Sequence, residues 1–230
     1  MGVAAAKLAI ERSGIDASEI DMVVCATISP DYFCMPSTAT IMATKLGLNH
    51  VTAFDISAAC TGFVYILSIA KAFIESGMKK NVLIVGAEKL SAITDYTDRG
   101  TCILFGDGAG AAILEASEEP GILSTHLHAD GQYEDLLTVD GGVSTDYSKI
   151  ENGTAFMRMK GNEVFKMAVN TLGRIVDETL AANNLQKTDI DWLVPHQANI
   201  RIINATAKKL QMDIDHVVVT VDKHGNTSAA

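Results

Sequence analysis

The sequence predicts an α/β protein built from two related halves, and three observations lead there. Apolar runs such as Ile20 to Thr27 and Asn81 to Ala87 are continuous, the pattern of strands covered on both faces. They alternate with stretches of helical spacing, Ala4 to Ser13, Ser37 to Leu46 and Thr61 to Ser76, closed by Gly14, Gly47 and Gly77. Finally, Ser13 to Val24 is echoed by Asn184 to Val194. Ile20-Asp21 and Ile190-Asp191 lie 170 positions apart (190 − 20), and the strand ends Asp55 and Asp222 lie 167 apart (222 − 55). Two halves follow, 1–120 and 121–230, each helix–strand–helix–strand–turn. The first opens in mid-helix and the second stops soon after Asn226, so the chain reads as the interior of a longer protein.

In order, Ala4 to Ser13 is a helix without an N-cap residue, and Ile20 to Thr27 a buried strand. The loop Ser29 to Pro36 carries Tyr32, Phe33 and Met35. Ser37 to Leu46 is a helix, Val51 to Ile56 a short buried strand, and Thr61 to Ser76 an amphipathic helix. Asn81 to Ala87 is again a strand. Gly106-Asp107-Gly108-Ala109-Gly110 has a strand-like sequel, Ala111 to Glu115. A phosphate-binding loop needs a helix there, so a tight turn between strands is expected. Ile122 to Ala129 reads as a strand with His126 and His128 on one face, and no third metal ligand lies nearby in sequence.

Residues 130–159 are polar, Gly-rich and without clear period. Gly161 to Asn183 is a long helix whose buried stripe is Val164, Phe165, Ala168, Val169, Leu172, Ile175, Val176 and Leu180. Trp192 to Pro195 is a strand ending at His196, Ala198 to Gln211 a helix, and Val217 to Val221 a strand leading to His224-Gly225-Asn226-Thr227-Ser228.

Composition narrows the function. With 48% hydrophobic and 20% charged residues, the chain has the make-up of an ordinary globular protein. A net charge of −10 argues against nucleic acid or an anionic membrane as partner. No apolar run reaches transmembrane length and no signal-peptide pattern opens the chain. Cys25, Cys34, Cys60 and Cys102 show no C-x-x-C spacing, so neither a zinc site nor a disulfide framework is indicated and a reducing cytoplasm is the expected compartment.

The chemistry centres on Phe54 to Val64. Cys60 sits in a small-residue turn between a strand and a helix, where the unpaired N–H groups of the helix start favour thiolate over thiol. In the repeat register Asn226 occupies the turn equivalent to that of Cys60, and His196 ends the neighbouring strand of the second half. Strand ends of this kind are where α/β proteins build sites. Together they suggest a thiol nucleophile with two hydrogen-bond donors or a base. Cys, His and Asn are also the papain-type set, but the C-G-[SA]-C-[WY] signature is absent and the α/β repeat does not suit that fold.

Four stretches carry a resemblance: Asp55 to Phe63, Gly106 to Gly110, Val194-Pro195-His196-Gln197-Ala198-Asn199, and His224-Gly225-Asn226-Thr227-Ser228. In this order they are similar to the β-ketoacyl-acyl-carrier-protein synthase III family of bacterial type II fatty-acid synthesis. The resemblance covers essentially the whole chain. It implies a thiolase-like, duplicated five-layer α/β/α/β/α fold, incomplete here at both ends, and usually a homodimer. It also implies that acetyl-CoA and malonyl-acyl-carrier protein are the substrates, with no cofactor. Cys60 would be the acylated nucleophile, and His196 and Asn226 would serve the malonyl half-reaction.

The same resemblance assigns carrier-protein docking to Gln197, Ala198, Asn199, Ile200 and Arg201, with Lys208, Lys209 and Lys166 adding basic surface. Arg201 and Lys208 stand two turns apart on one helix face, a basic stripe suited to an acidic carrier domain. Arg99 and Asn199 correspond to CoA contacts, and Met35, Leu90 and Phe165 to the acyl pocket. Many family members carry Phe where Met35 precedes Pro36, which bears on starter preference. The family's N-terminal Trp and Arg contacts to CoA and its C-terminal Gly-rich loop have no counterpart. The alternatives are a type III polyketide-synthase-like enzyme, sharing the Cys-His-Asn set, and a non-catalytic scaffold that dimerises or docks carrier protein.

Overall fold

The computed structural model describes residues 1–230. The chain forms two compact units, one of Met1–Lys89, Asp107–Leu127 and Thr227–Ala230, the other of Leu90–Gly106 and His128–Asn226. The division after residue 120 follows the repeat, whereas these units follow contacts.

The first unit is built on a four-stranded sheet. Its strands are β1 (Met22–Ala26), β2 (Thr52–Ile56), β3 (Asn81–Glu88) and β4 (Gly108–Glu115), in the order β2-β1-β3-β4. The first three are parallel, and β4 runs antiparallel to β3. Every residue of central β1 is buried, and its side chains alternate between two cores. Val23 and Cys25 join Ala6 of α1 (Gly2–Ser13) and Met42 of α2 (Thr38–Lys45) on one face. Met22, Val24 and Ala26 join Ile66 and Ala70 of α3 (Gly62–Glu75) on the other. Cover on both faces is why β1 reads as an unbroken apolar run. Strand β2, expected to be buried, is only half-buried because it is the sheet edge.

The glycine motif is not a tight turn between two strands. Gly108 and Gly110 lie inside β4, opposite Glu88 and Gly86. The residues Thr227–Ala230 lie across this pair. A Cβ on Gly86 would come within 2.0 Å of the Ala229 carbonyl oxygen, and one on Gly108 within 2.9 Å of Thr227 Cγ2. Close backbone approach is what these strand glycines supply. Ile122 to Ala129 is not a strand either. It is held by side chains instead, among them Thr125 Oγ1 donating to Ser68 Oγ at 2.9 Å.

In the second unit, residues 130–159 contain structure that no period announced. An antiparallel hairpin of β5 (Leu137–Val139) and β6 (Met157–Met159) flanks α4 (Tyr147–Glu151). Arg158 of β6 bonds Asp140 at 3.0 Å and Asp95 at 2.8 Å, tying hairpin to the 90–106 segment. Helix α5 (Gly161–Ala182) packs on α6 (Ile200–Leu210), and Lys209 pairs with Asp177 across them at 2.6 Å. The expected stripe of α5 is half-buried throughout. The strands expected at 192–195 and 217–221 reduce to one parallel bridge, Leu193 with Val217, and the second ends in a short helix, α7 (Val221–His224).

The repeat has a local counterpart. Residues Ala17–Glu19 and Lys187–Asp189 form equivalent single 3₁₀ turns, each closed by a reciprocal capping box, Asp16 with Glu19 and Gln186 with Asp189. All four positions keep the 170-residue offset (186 − 16, 189 − 19).

Candidate active site

Cys60 lies in the 3₁₀ turn Ala59–Thr61, immediately before α3. The turn is tight: Ala59 has φ +45°, and the Thr61 hydroxyl donates to the Ala58 carbonyl at 2.7 Å. Its exit is set by Gly62, where a Cβ would meet Ala26 at 2.9 Å and Ala229 at 3.1 Å. The start of α3 therefore rests directly on β1, and the half-exposed Cys60 stands just before the N-terminus of a 14-residue helix, whose aligned N–H groups favour negative charge there. By contrast, Cys25 is buried, and burial, then the nearby Asp55 and Glu88 carboxylates, raises its thiol pKa strongly. Cys34 is exposed and Cys102 half-buried.

His196 follows Pro195 in the turn between Leu193 and α6. Burial removes water that would stabilise the imidazolium and lowers its pKa to about 4, so the ring is neutral at pH 7. Asn226 is 7% exposed and locked by its backbone, whose N–H donates to Leu104 at 2.8 Å while its carbonyl accepts from Gly106 at 3.0 Å. Gly225 permits this approach, with φ +68° and a Cβ position 3.0 Å from the Leu104 carbonyl oxygen. His196 and Asn226 belong to the second unit and Cys60 to the first.

The Gln197 side chain is fully engaged with backbone. Its Nε2 donates to Pro195 and Val218 carbonyls, both at 2.9 Å, and its Oε1 accepts from Thr220 and Val221 N–H at 2.8 and 3.0 Å. Helix α6 starts at Ile200, two residues later than expected, because Asn199 Oδ1 caps the Ile202 N–H at 3.0 Å. An Asn before an apolar-periodic run is a cap signal, so that start was legible. Ala198 is half-buried and Ile200 exposed.

Arg201 and Lys208 are exposed on one face of α6, with Arg201 stacked 4.7 Å above the Phe165 ring. Lys209 instead turns to Asp177, and Lys166 is exposed on α5. Arg99 is exposed on a loop stiffened by carboxylates: Asp98 accepts from Gly100 N–H and the Thr101 hydroxyl, and Asp95 from Thr97 and Arg158. Of the residues expected to line an acyl pocket, Leu90 is fully buried and Met35 is 79% exposed. The loop bearing Met35 is rooted by buried Glu88, which accepts from Ile28 N–H at 3.1 Å and Ser29 Oγ at 2.6 Å. These long-range carboxylate anchors have no signature in sequence. His126 bonds Ser124, and His128 pairs with Glu178 at 2.9 Å.

Residues 54–131 match the 3-oxoacyl-[acyl-carrier-protein] synthase III family, and residues 180–230 match that family's C-terminal part. A β-ketoacyl-[acyl-carrier-protein] synthase III of Sulfurimonas denitrificans is 64% identical over all of this chain and 71% of its own length. One from Thioalkalivibrio sulfidiphilus is 60% identical over 98% of this chain and 70% of its own. In three dimensions, the crystal structure of 3-oxoacyl-[acyl-carrier-protein] synthase III from Aquifex aeolicus superposes on the whole chain with a TM-score of 0.92 at 44% identity, with 71% of that structure covered. The priming β-ketosynthase of the R1128 polyketide pathway gives 0.92 at 38% identity, with 69% covered. The fold is thiolase-like, and the chain belongs to the β-ketoacyl-acyl-carrier-protein synthase III family of condensing enzymes.

Proposed function

We propose that the chain carries out the decarboxylative condensation of acetyl-CoA with malonyl-acyl-carrier protein, giving acetoacetyl-acyl-carrier protein. The Cys60 thiolate attacks the acetyl carbonyl and CoA leaves as its thiolate. The malonyl group then loses CO₂, and the electron pair of the broken C–C bond becomes an enolate on the thioester oxygen. Its carbon attacks the acetyl carbonyl on Cys60 and the Cys60 thiolate is released.

The observation that carries this reading is Cys60 in the turn immediately before α3, and it is supported by the lowered pKa of His196, whose desolvation leaves the ring neutral at pH 7. Developing enolate charge calls for donors that keep their protons, and His196 with the Asn226 amide suits that role. Arg99 and Asn199 are assigned to CoA. Arg201, Lys208 and Lys166 are assigned to an acidic carrier domain, and Met35, Leu90 and Phe165 to the acyl pocket. A cytoplasmic homodimer of two duplicated halves, 1–120 and 121–230, completes the reading.

The test is to make His196→Ala and Asn226→Ala and follow both half-reactions. Malonyl decarboxylation should fall by on the order of a hundredfold or more while acetyl transfer to Cys60 stays partly intact. Equal loss of both would overturn the assignment of these two residues to the malonyl step.

A further inference from the structure

We infer that Gln197 is a positioning residue for the malonyl half-reaction, holding the His196 turn and the start of the Asn226 segment to each other through one side-chain amide. This rests on the roles proposed above for His196 and Asn226.

Sheet pairing in this part of the second unit stops early. Leu193 N–H donates to His216 and Val218 N–H donates back to Leu193, and there the ladder ends. Beyond it, the Gln197 amide makes the connections that further strand pairing would otherwise make. One Nε2 hydrogen bond, to Pro195, closes the tripeptide that contains His196. The other, to Val218, ties that tripeptide to the opposite segment. Oε1 accepts the first two N–H groups at the start of α7, where Thr220 provides no side-chain cap. From there the backbone runs directly into Gly225 and Asn226, with Gly225 N–H bonded to the Val221 carbonyl at 3.0 Å.

All the donor and acceptor positions of the amide used here point to backbone. No isosteric replacement reproduces them: a carboxylate in its place would keep the two acceptor bonds and set negative oxygen against the Pro195 and Val218 carbonyls. The amide thus acts on geometry, not on substrate. A small misplacement of a hydrogen-bond donor relative to a reacting oxygen is costly in rate, about a hundredfold for roughly 1 Å.

The experiment compares Gln197→Glu and Gln197→Met with the parent enzyme on malonyl-carrier protein, on malonyl-CoA, and in acetylation of Cys60. Malonyl-CoA presents the same thioester without a carrier domain. For both variants kcat for decarboxylation should fall roughly tenfold to a hundredfold on both malonyl substrates, with KM and Cys60 acetylation within about threefold of the parent. A raised KM for malonyl-carrier protein with malonyl-CoA unaffected would make Gln197 a docking contact and overturn the inference. Parallel loss of acetylation and decarboxylation would make it a general fold residue and overturn it equally. His196→Ala is run alongside. If it spares decarboxylation, the proposed role of His196 fails and this inference with it. If it abolishes decarboxylation while both Gln197 variants retain it, this inference alone fails.

Discussion

Asp55 Oδ1 accepts the Ala39 N–H at 2.8 Å, while its Oδ2 takes the Thr38 N–H at 2.7 Å. A carboxylate near the end of β2 therefore caps α2, the helix that precedes it in the chain, alongside the local Ser37 cap on Thr40 at 3.2 Å. Two N–H groups of the first turn of α2, without partners inside the helix, receive a charged acceptor. Asp55→Ala should lower unfolding stability by about 1–3 kcal/mol, and Asp55→Asn, which keeps one acceptor, by less. Denaturant titration measures both, and an unchanged midpoint for Asp55→Ala would refute the cap.

Cys60 should be the fastest-reacting thiol near neutral pH. Its place before α3 favours thiolate, whereas burial and the Asp55 and Glu88 carboxylates keep Cys25 protonated. Brief, limiting iodoacetamide followed by peptide mapping decides it. Exposed Cys34 is the informative competitor, since access alone would favour it. Preferential modification of Cys34 would mean that exposure, and not the helix start, governs reactivity.

Acidification should destabilise the protein through His196. Its folded-state pKa, about 4, lies below the unfolded value of about 6.5. Between those values the unfolded chain binds a proton that the folded protein does not, so stability falls as pH drops through that window. Relative to His196→Asn, the parent should therefore lose more stability between about pH 7 and about pH 4.5. Parallel stability curves for the two would show that the ring is not held neutral by burial.

Reversing charge at Arg201 and Lys208 should slow reaction with malonyl-carrier protein and leave reaction with acetyl-CoA nearly unchanged. Both side chains are exposed on one face of α6, where charges act mainly on encounter rate and are screened by salt. Lys209→Glu should matter less for carrier protein, because Lys209 is already paired with Asp177. Activity with carrier protein should converge for parent and variant as salt rises. A gap that persists at high salt would remove the electrostatic docking role.

The sequence by itself determined β1, β2 and β3 and helices α1, α2 and α3, because β1 is covered on both faces and the three helices each present an apolar stripe with a stop residue. It also determined the position of Cys60 before a helix, since strand, small turn and helix are local patterns. The tandem capping boxes at Asp16 and Gln186 keep the register that the repeat announced. What only the tertiary structure decided are the features whose partners lie far apart in the chain. Gly108 was expected in a tight turn and Gly86 fell inside an ordinary strand, yet their lack of a Cβ matters because Thr227–Ala230 crosses them. The expected strands around Leu193 and Val217 had the right apolar residues but pair at a single bridge, and Gln197 supplies the missing connections. Periodicity reports which face of an element is apolar; it carries no information about which distant backbone groups a polar side chain will satisfy. That second kind of choice is made when buried N–H and C=O groups must find partners in the folded chain, and here it governs the surroundings of His196 and Asn226.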